Sequence, residues 1–438
     1  MDLIRLQSAA FYARITAKTL ALSIFALALQ GQAAAASDEV IGDVLGILKQ
    51  RGILDDEQYS QLTAKNASYE ESRQSLLERF EFSGDMRARH ESFWFDRDPL
   101  GVEATNRYRL RYRLRLNAKA AVNDWFSVGF RIATGDDHYS SNQTLGSSVS
   151  GDPQEWDAHG LNLRRAYMQA KLPFDGVKAA VQFGKVGNPF IWKVGKDYLW
   201  DGDINPEGVA FKMSANPSEN TTAFLNLGYF IVDEEGGGKD PHVFGAQVGG
   251  EFGVSDTLAV GGRLSYYNWR SLKADFITRN AADGNLAGGV EGGTDNEISV
   301  GELSLYARTT SIDGWPILAY GTYAQNFDAE STLGASKEDT AFGIGLEVGD
   351  KKRFAKLGVA YWEMEANAVP ANFVDSDLFD GHTNREGFVF YGSKTVFKNT
   401  DLNLTLFMGE EIEDGPAFVG DLGNADRIRL QTDLVVKF

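Results

Sequence analysis

The chain has 438 residues, a formal charge of −18 and no cysteine. Disulfides and thiol chemistry are thereby excluded, and the acidic balance argues against general nucleic-acid binding. Glycine (47) is abundant and proline (10) scarce, and beyond the N-terminus no run of about 18 apolar residues predicts a transmembrane helix, which leaves membrane-spanning strands open.

Residues 1–36 read as a secretory signal. Arg5, Arg14 and Lys18 give the positive end, Leu20 to Leu29 the apolar stretch, and Ala34-Ala35-Ala36 a small-residue cleavage site. The mature chain is expected to start near Ser37 and to be exported. Residues 37–79 are predicted as a periplasmic helical segment. Val40, Ile41, Val44, Leu45 and Leu48 share one helix face, Gly52 suits a C-terminal stop, and Asp55 with Gln58 resembles a capping box. From Tyr59 a 3,4 spacing runs through Leu62, Asn66, Tyr69, Arg73, Leu76 and Phe80. It fits a lone helical hairpin or a short coiled coil, and the second alternative would support a homotrimer.

From Phe80 the period changes to two. In 106–122, Arg107, Arg109, Arg111, Arg113 and Arg115 alternate with Tyr108, Leu110, Tyr112, Leu114 and Leu116. A strand puts these two sets on opposite faces, whereas a helix would scatter the arginines around its cylinder. Further strands are predicted at 80–90, 125–134, 161–172, 177–184, 208–214, 221–231, 242–252, 256–268, 297–311, 315–327, 340–349, 355–364, 386–397, 400–409 and 426–438. That makes about sixteen, mostly near the ten residues that a tilted membrane strand needs. Connections alternate between short (Asn123-Asp124, Pro173–Gly176, Asp313-Gly314) and long, the long ones carrying acids such as Asp233-Glu234-Glu235, Asp375 to Asp380 and Glu410 to Asp414. This alternation, and both ends on one side, predict an all-β transmembrane antiparallel barrel over 80–438 rather than a soluble sandwich. Trp94, Trp125, Trp269, Trp315 and Trp362 near strand ends are expected to form interfacial girdles. The last strand ends on Phe438, which resembles the signal that outer-membrane proteins present to the barrel-assembly machinery.

The third long connection, 185–207, is richer in aromatics than the others: Phe190, Trp192, Tyr198 and Trp200. A loop waving in water has no use for them. A loop folded into a barrel and packed on its wall does. Here the chain resembles the bacterial "putative porin" family, on Gly184-Lys185, Asn188-Pro189-Phe190, Asp197, Leu199-Trp200-Asp201, Asp203, Asn205 and Glu207-Gly208, together with the helical segment and terminal phenylalanine. The resemblance implies a channel in the cell outer membrane, in contact with lipid and lipopolysaccharide.

A barrel of this size leaves an aqueous lumen unless something fills it. The arginines at 107–115 and Arg131 are expected to line it. Glu81 and Asp85 are the acids expected beside them, with Arg87 and Arg89. Asp197, Asp201, Asp203 and Glu207 of a constriction loop are candidates to face the arginines, either creating a transverse field or holding the loop in place. Other lumen positions are basic (Lys171, Lys178, Lys212, Arg263, Arg308, Lys356) and opposed by Glu251, Glu302, Glu347 and Asp401.

No catalytic constellation emerges. His90, His138, His159, His242 and His382 lie in or near predicted long connections without metal-ligand spacing. Asp136-Asp137 and Asp201-Gly202-Asp203 lack EF-hand spacing, and Gly236-Gly237-Gly238 lacks the lysine and hydroxyl of a P-loop. The expectation is a non-enzymatic, cofactor-free porin passing small hydrophilic solutes and ions with a mild anion preference. The alternative is a barrel that anchors a structural or adhesive surface protein. A sleeve around a multihaem cytochrome fits less well, since the chain has no CxxCH.

Overall fold

The computed structural model describes residues 43–77, 79–95, 106–135, 140–147, 156, 158–272, 284–286, 297–331, 336–413 and 426–438. The expected signal segment, Asp136-Asp137 and His138 lie outside these residues.

Two helices come first, α1 (43–50) and α2 (Asp56–Leu77). Gly52 ends the first at φ 70°, a left-handed conformation that glycine adopts without steric cost. The second opens on a reciprocal capping box. The Gln58 amide donates to Asp55 Oδ1 at 2.7 Å, and the Asp55 amide donates to Gln58 Oε1 at 3.2 Å.

The strands are β1 (Phe80–Phe95), β2 (Arg107–Ala121), β3 (Phe126–Ala133), β4 (Gln143–Thr144), β5 (Asn162–Leu172), β6 (Val177–Lys185), β7 (Glu207–Ser218), β8 (Thr221–Ile231) and β9 (His242–Gly253). Then follow β10 (Leu258–Arg270), β11 (Ile298–Ile312), β12 (Trp315–Asn326), β13 (Thr340–Gly349), β14 (Lys356–Met364), β15 (Arg385–Phe397), β16 (Thr400–Glu411) and β17 (Arg427–Lys437). Every pairing is antiparallel, and β1 pairs with both β2 and β17, which closes the sheet. The two-residue β4 is not a separate stave. It pairs with Arg111 and Tyr112 of β2, just beyond the point where β3 leaves off at Arg115. The wall is therefore a barrel of sixteen staves.

Closure removes the unpaired edges that a sheet cannot expose to lipid. The outer face is apolar: Leu110, Leu303, Leu305, Ile344, Leu357 and Leu404 are all exposed. The inner face is polar, with Arg113, Gln247, Arg263, Glu302 and Ser304 buried. This reverses the usual arrangement and matches a wall between lipid and a wet interior.

Seven short turns and both barrel termini share one end. Asp313 (φ 49°) and Gly314 (φ 69°) form one two-residue hairpin turn, both in the positive-φ region such turns require. Trp125 and Trp315 are exposed at this end, as a girdle requires, and Trp94 stacks edge-on with the outward Tyr108. Trp269 and Trp362 correct the girdle expectation. They are 2% and 0% exposed and point inward, because the lumen contains an apolar core of its own.

Candidate functional site

The inner core consists of loops. The connection 186–206 turns back into the barrel, burying Val186, Phe190, Tyr198, Leu199 and Trp200. The Phe190 ring lies over Gly228 and Gly245. A Cβ at Gly245 would stand 2.3 Å from the ring, so the glycine is what lets it seat. The wall also grips the loop's backbone. Arg263 Nη1 donates to the Phe190 carbonyl at 2.8 Å, Gln247 Nε2 to the same carbonyl at 3.0 Å, and Asn226 Nδ2 to the Pro189 carbonyl at 3.1 Å. Asp197 completes this anchor, 2.7 Å from Arg263, which also pairs with Glu302.

A second loop, one of the acid-bearing long connections, also folds inward. Residues 365–384 join β14 to β15 and bury Ala366, Asn367, Ala368, Leu378 and Phe379. Asn367 is the polar hub of the fold. Its Nδ2 donates to the Lys337 carbonyl (3.0 Å), its Oδ1 accepts from the Leu286 amide (3.0 Å), and its carbonyl accepts from Asn326 Nδ2 (2.8 Å). The two loops then join each other. The Asp201 amide donates to the Phe373 carbonyl at 2.7 Å, the Asp375 amide to the Tyr198 carbonyl at 3.0 Å, and the Ser376 amide to Asp201 Oδ2 at 2.9 Å. Trp200 stacks on Trp269 and packs against Phe373, each at 5.7 Å between ring centroids.

The junction carries four carboxylates in different electrostatic states. Burial pushes the Asp201 carboxyl up to about 6, and the neighbouring Asp203 adds to the effect. Burial, with Asp201 and Asp377, pushes Asp375 well above the usual range. Burial also opposes ionisation of Asp377, but Arg89, Arg429 and Arg87 outweigh it and hold that carboxyl well below the usual range. Asp203 is held down against burial by Arg113, the Ser141 amide and Arg115.

The arginine row faces inward, as the alternation requires. Of the two acids expected beside it, Asp85 is in place and takes Arg113 at 2.9 Å and Arg115 at 2.8 Å. The second partner is Glu91 of β1, which pairs with Arg109 and lies 3.6 Å from Arg111. The expected strand ended at residue 90, so Glu91 was missed. Glu81 stands opposite Lys119, below the row. Arg131 donates to the neutral Asn117 at 2.6 Å.

Of the four constriction-loop acids, only Asp203 approaches the row, 3.6 Å from Arg115. Asp197 is taken by Arg263 and Asp201 by the second loop. Glu207 already belongs to β7, where it pairs with Lys185 at 2.5 Å. The acids that meet the arginine wall come from the second loop. Asp377 lies 2.9 Å from Arg89 and 3.0 Å from Arg429, and Asp380 lies 3.2 Å from both Arg427 and Arg429. Arg427 and Arg429 of β17 and Asp433, 2.6 Å from Arg89, extend the same wall. Sequence order hides this pairing, because β1 and β17 are the first and last strands and become neighbours only when the barrel closes.

Space lined by both charged and apolar side chains lies on both sides of the loop pair. A cavity of about 590 Å³ opens near Asn188, Ile204, Asp233 and Glu234 at the long-loop end. At the short-turn end there is one of about 650 Å³ bounded by Lys193, Glu251, Arg308 and Lys356, and one of about 620 Å³ bounded by Arg87, Lys196, Asp377, Lys351 and Asp433.

The histidines do not converge. His90 lies in β1 on the outer face rather than in a loop, His159 stands edge-on to Tyr112, His242 Nδ1 meets the Asp240 carbonyl at 2.8 Å, and His382 is buried in the second loop. Among the described residues no group of three potential metal ligands occurs.

The sequence profile of the family described as "Putative porin" matches residues 96–286, a span that includes the 184–208 motif. Similar solved structures include OprB of Pseudomonas putida, 13% identical with a TM-score of 0.52, covering 84% of this chain and 97% of that one. Others are the outer membrane channel DcaP of Acinetobacter baumannii (12%, 0.44, covering 82% and 97%) and OmpF of Salmonella typhi (10%, 0.47, covering 82% and 97%). At these identities OprB shares the fold with this chain. No curated protein matches it.

Proposed function

We propose that the chain forms a water-filled channel of the outer membrane for passive diffusion of small hydrophilic solutes and ions, with a mild preference for anions. The observation that carries this is the inverted wall: an apolar outer face around a charged interior, with two inserted loops that leave cavities bordered by charged side chains on either side. The family match agrees with it.

The inserted loops set the constriction. Their apolar cores anchor them to the β8–β10 and β14–β16 sides of the wall, while Asp377, Asp380 and Asp203 carry charge toward the arginines. In a narrow space with low-dielectric walls, fixed charges act more strongly on a passing ion than on an open surface. Arginines outnumber the carboxylates among Arg87, Arg89, Arg109, Arg111, Arg113, Arg115, Arg427 and Arg429 against Asp85, Glu91, Asp203, Asp377, Asp380 and Asp433, hence the anion preference. Swelling of proteoliposomes in isotonic solutions of graded sugars and salts tests the reading. Swelling that falls with solute size supports it. Correctly inserted protein that causes no swelling leaves the anchoring barrel as the better account.

A further inference from the structure

We propose that the interior face of β5, β6 and β7 holds a binding site for small multivalent anions, formed by Lys171, Lys178 and Lys212; this rests on the channel reading above. The register brings the three together. Lys171 stands opposite Ala180, Ala180 opposite Lys212, and Lys212 opposite Asn226. Lys178 sits in the adjacent row, opposite Ser214. Neighbouring strands lie about 4.8 Å apart, so Lys171 and Lys212 are separated by roughly 10 Å of backbone. Between them the small Ala180 leaves the space open. The resulting cavity, about 530 Å³, is bounded by Gln169, Lys171, Lys178, Lys212, Ser214 and Asn226, and no carboxylate borders it.

Several other interior bases are neutralised. Lys351 is 2.8 Å from Asp401, Lys356 is 3.0 Å from Glu347, and Arg263 is 2.7 Å from Asp197. Among the described residues none of the three lysines has such a partner, and the Lys171 ammonium donates only to the Asp124 carbonyl, at 3.1 Å. Above the site Arg131 and Arg165 face each other in register, and each bonds a neutral amide, Asn117 or Asn205. Like charges on adjacent strands repel. An anion with two or more charged oxygens can bridge the ammonium groups and relieve the repulsion, while the Gln169 amide and the Ser214 hydroxyl supply neutral hydrogen bonds.

The test uses the full chain in a planar bilayer carrying a chloride current. Inorganic phosphate and succinate are added separately, to distinguish phosphate from dicarboxylate, with acetate as the singly charged comparison. The expected result is saturable block by phosphate, succinate or both at concentrations about tenfold below those at which acetate acts. Replacing Lys171, Lys178 and Lys212 together by Gln should weaken the block at least about tenfold. Lys212→Gln alone, which preserves strand alternation, should weaken it in part, and Lys351→Gln at the paired site should leave it unchanged. A parent channel that conducts without block, or block that survives both the single and the triple substitution, overturns the site while leaving the channel reading intact. Inserted protein that conducts nothing overturns the channel reading itself and the site with it.

Discussion

Arg89 of β1 and Asp377 of the second inserted loop meet at 2.9 Å, close to 290 residues apart in sequence. Asp377 also accepts from Arg429 at 3.0 Å and from Gln431 at 2.9 Å, so one carboxylate ties the loop to the seam where the barrel closes. Asp377→Asn leaves Arg89 and Arg429 short of a partner in a largely buried site. Loop docking should weaken by on the order of 1–3 kcal/mol. Permeability for anions should rise relative to cations, and single-channel traces should become noisier. Reversal potential and current variance at fixed voltage measure both.

The arginine row makes a contrasting prediction. Replacing Arg109, Arg111 and Arg113 by Gln keeps β2 amphipathic, and Asp85 and Glu91 each retain another arginine, Arg115 and Arg429. The barrel should therefore still assemble. Anion permeability should fall relative to cations, and the shift should shrink at high salt, where the screening length is about 3 Å at 1 M. Because these arginines are already paired on the wall, the change should be smaller than that from replacing the unpaired Lys171, Lys178 and Lys212. Reversal potentials across a salt gradient rank the two variants.

The loop junction should respond to pH. The Asp201 carboxyl is raised from 3.8 to about 6, by burial first and then by Asp203, so the docked loop holds a proton that the undocked loop releases. Between about pH 4 and pH 6 docking therefore strengthens as pH falls and weakens as pH rises, by at most about 1.4 kcal/mol per pH unit. Asp375, also raised, acts in the same direction. Asp377 acts oppositely: its carboxyl is lowered, so its contribution is present above pH 4 and lost only in strong acid. Moving from pH 7 to pH 5 should quieten the channel, and Asp201→Asn should flatten the response. Equal pH dependence in parent and variant counts against this role.

Phe438 closes the barrel. Its carbonyl accepts from the Gly84 amide at 2.7 Å, its own amide donates to the Gly84 carbonyl at 3.1 Å, and its ring lies across Gly84, half exposed on the outer face. Phe438→Ser keeps both backbone bonds. It should lower the yield of inserted barrel in cells while leaving the heat resistance of assembled protein nearly unchanged, as seen by mobility of boiled and unboiled samples in detergent gels.

The wall was legible in the sequence because a barrel strand writes its two faces residue by residue. The row from Arg107 to Arg115 could be assigned an inner face from alternation alone, and the aromatic content of 185–207 marked a loop that packs inward. The pairing of charges was not legible. Glu91 lay one residue past the expected end of β1, and Arg427 to Asp433 become neighbours of β1 only when the first and last strands meet. The second inserted loop was hidden for a different reason: Asp375, Asp377 and Asp380 have the composition of a solvated outer loop. Burial of acids in the interior depends on Arg89, Arg427 and Arg429, which are distant in sequence. Trp269 and Trp362 were misread because a tryptophan near a strand end can face either way, and only the parity of its neighbours across the register decides.

The most direct test of a conducting barrel is planar-bilayer recording from the purified, refolded mature chain across a potassium chloride gradient. Stepwise current increments, with a reversal potential of the sign that marks chloride as the more permeant ion, are the predicted result. Membranes in which inserted protein is verified but no current steps occur over a wide voltage range would contradict the account.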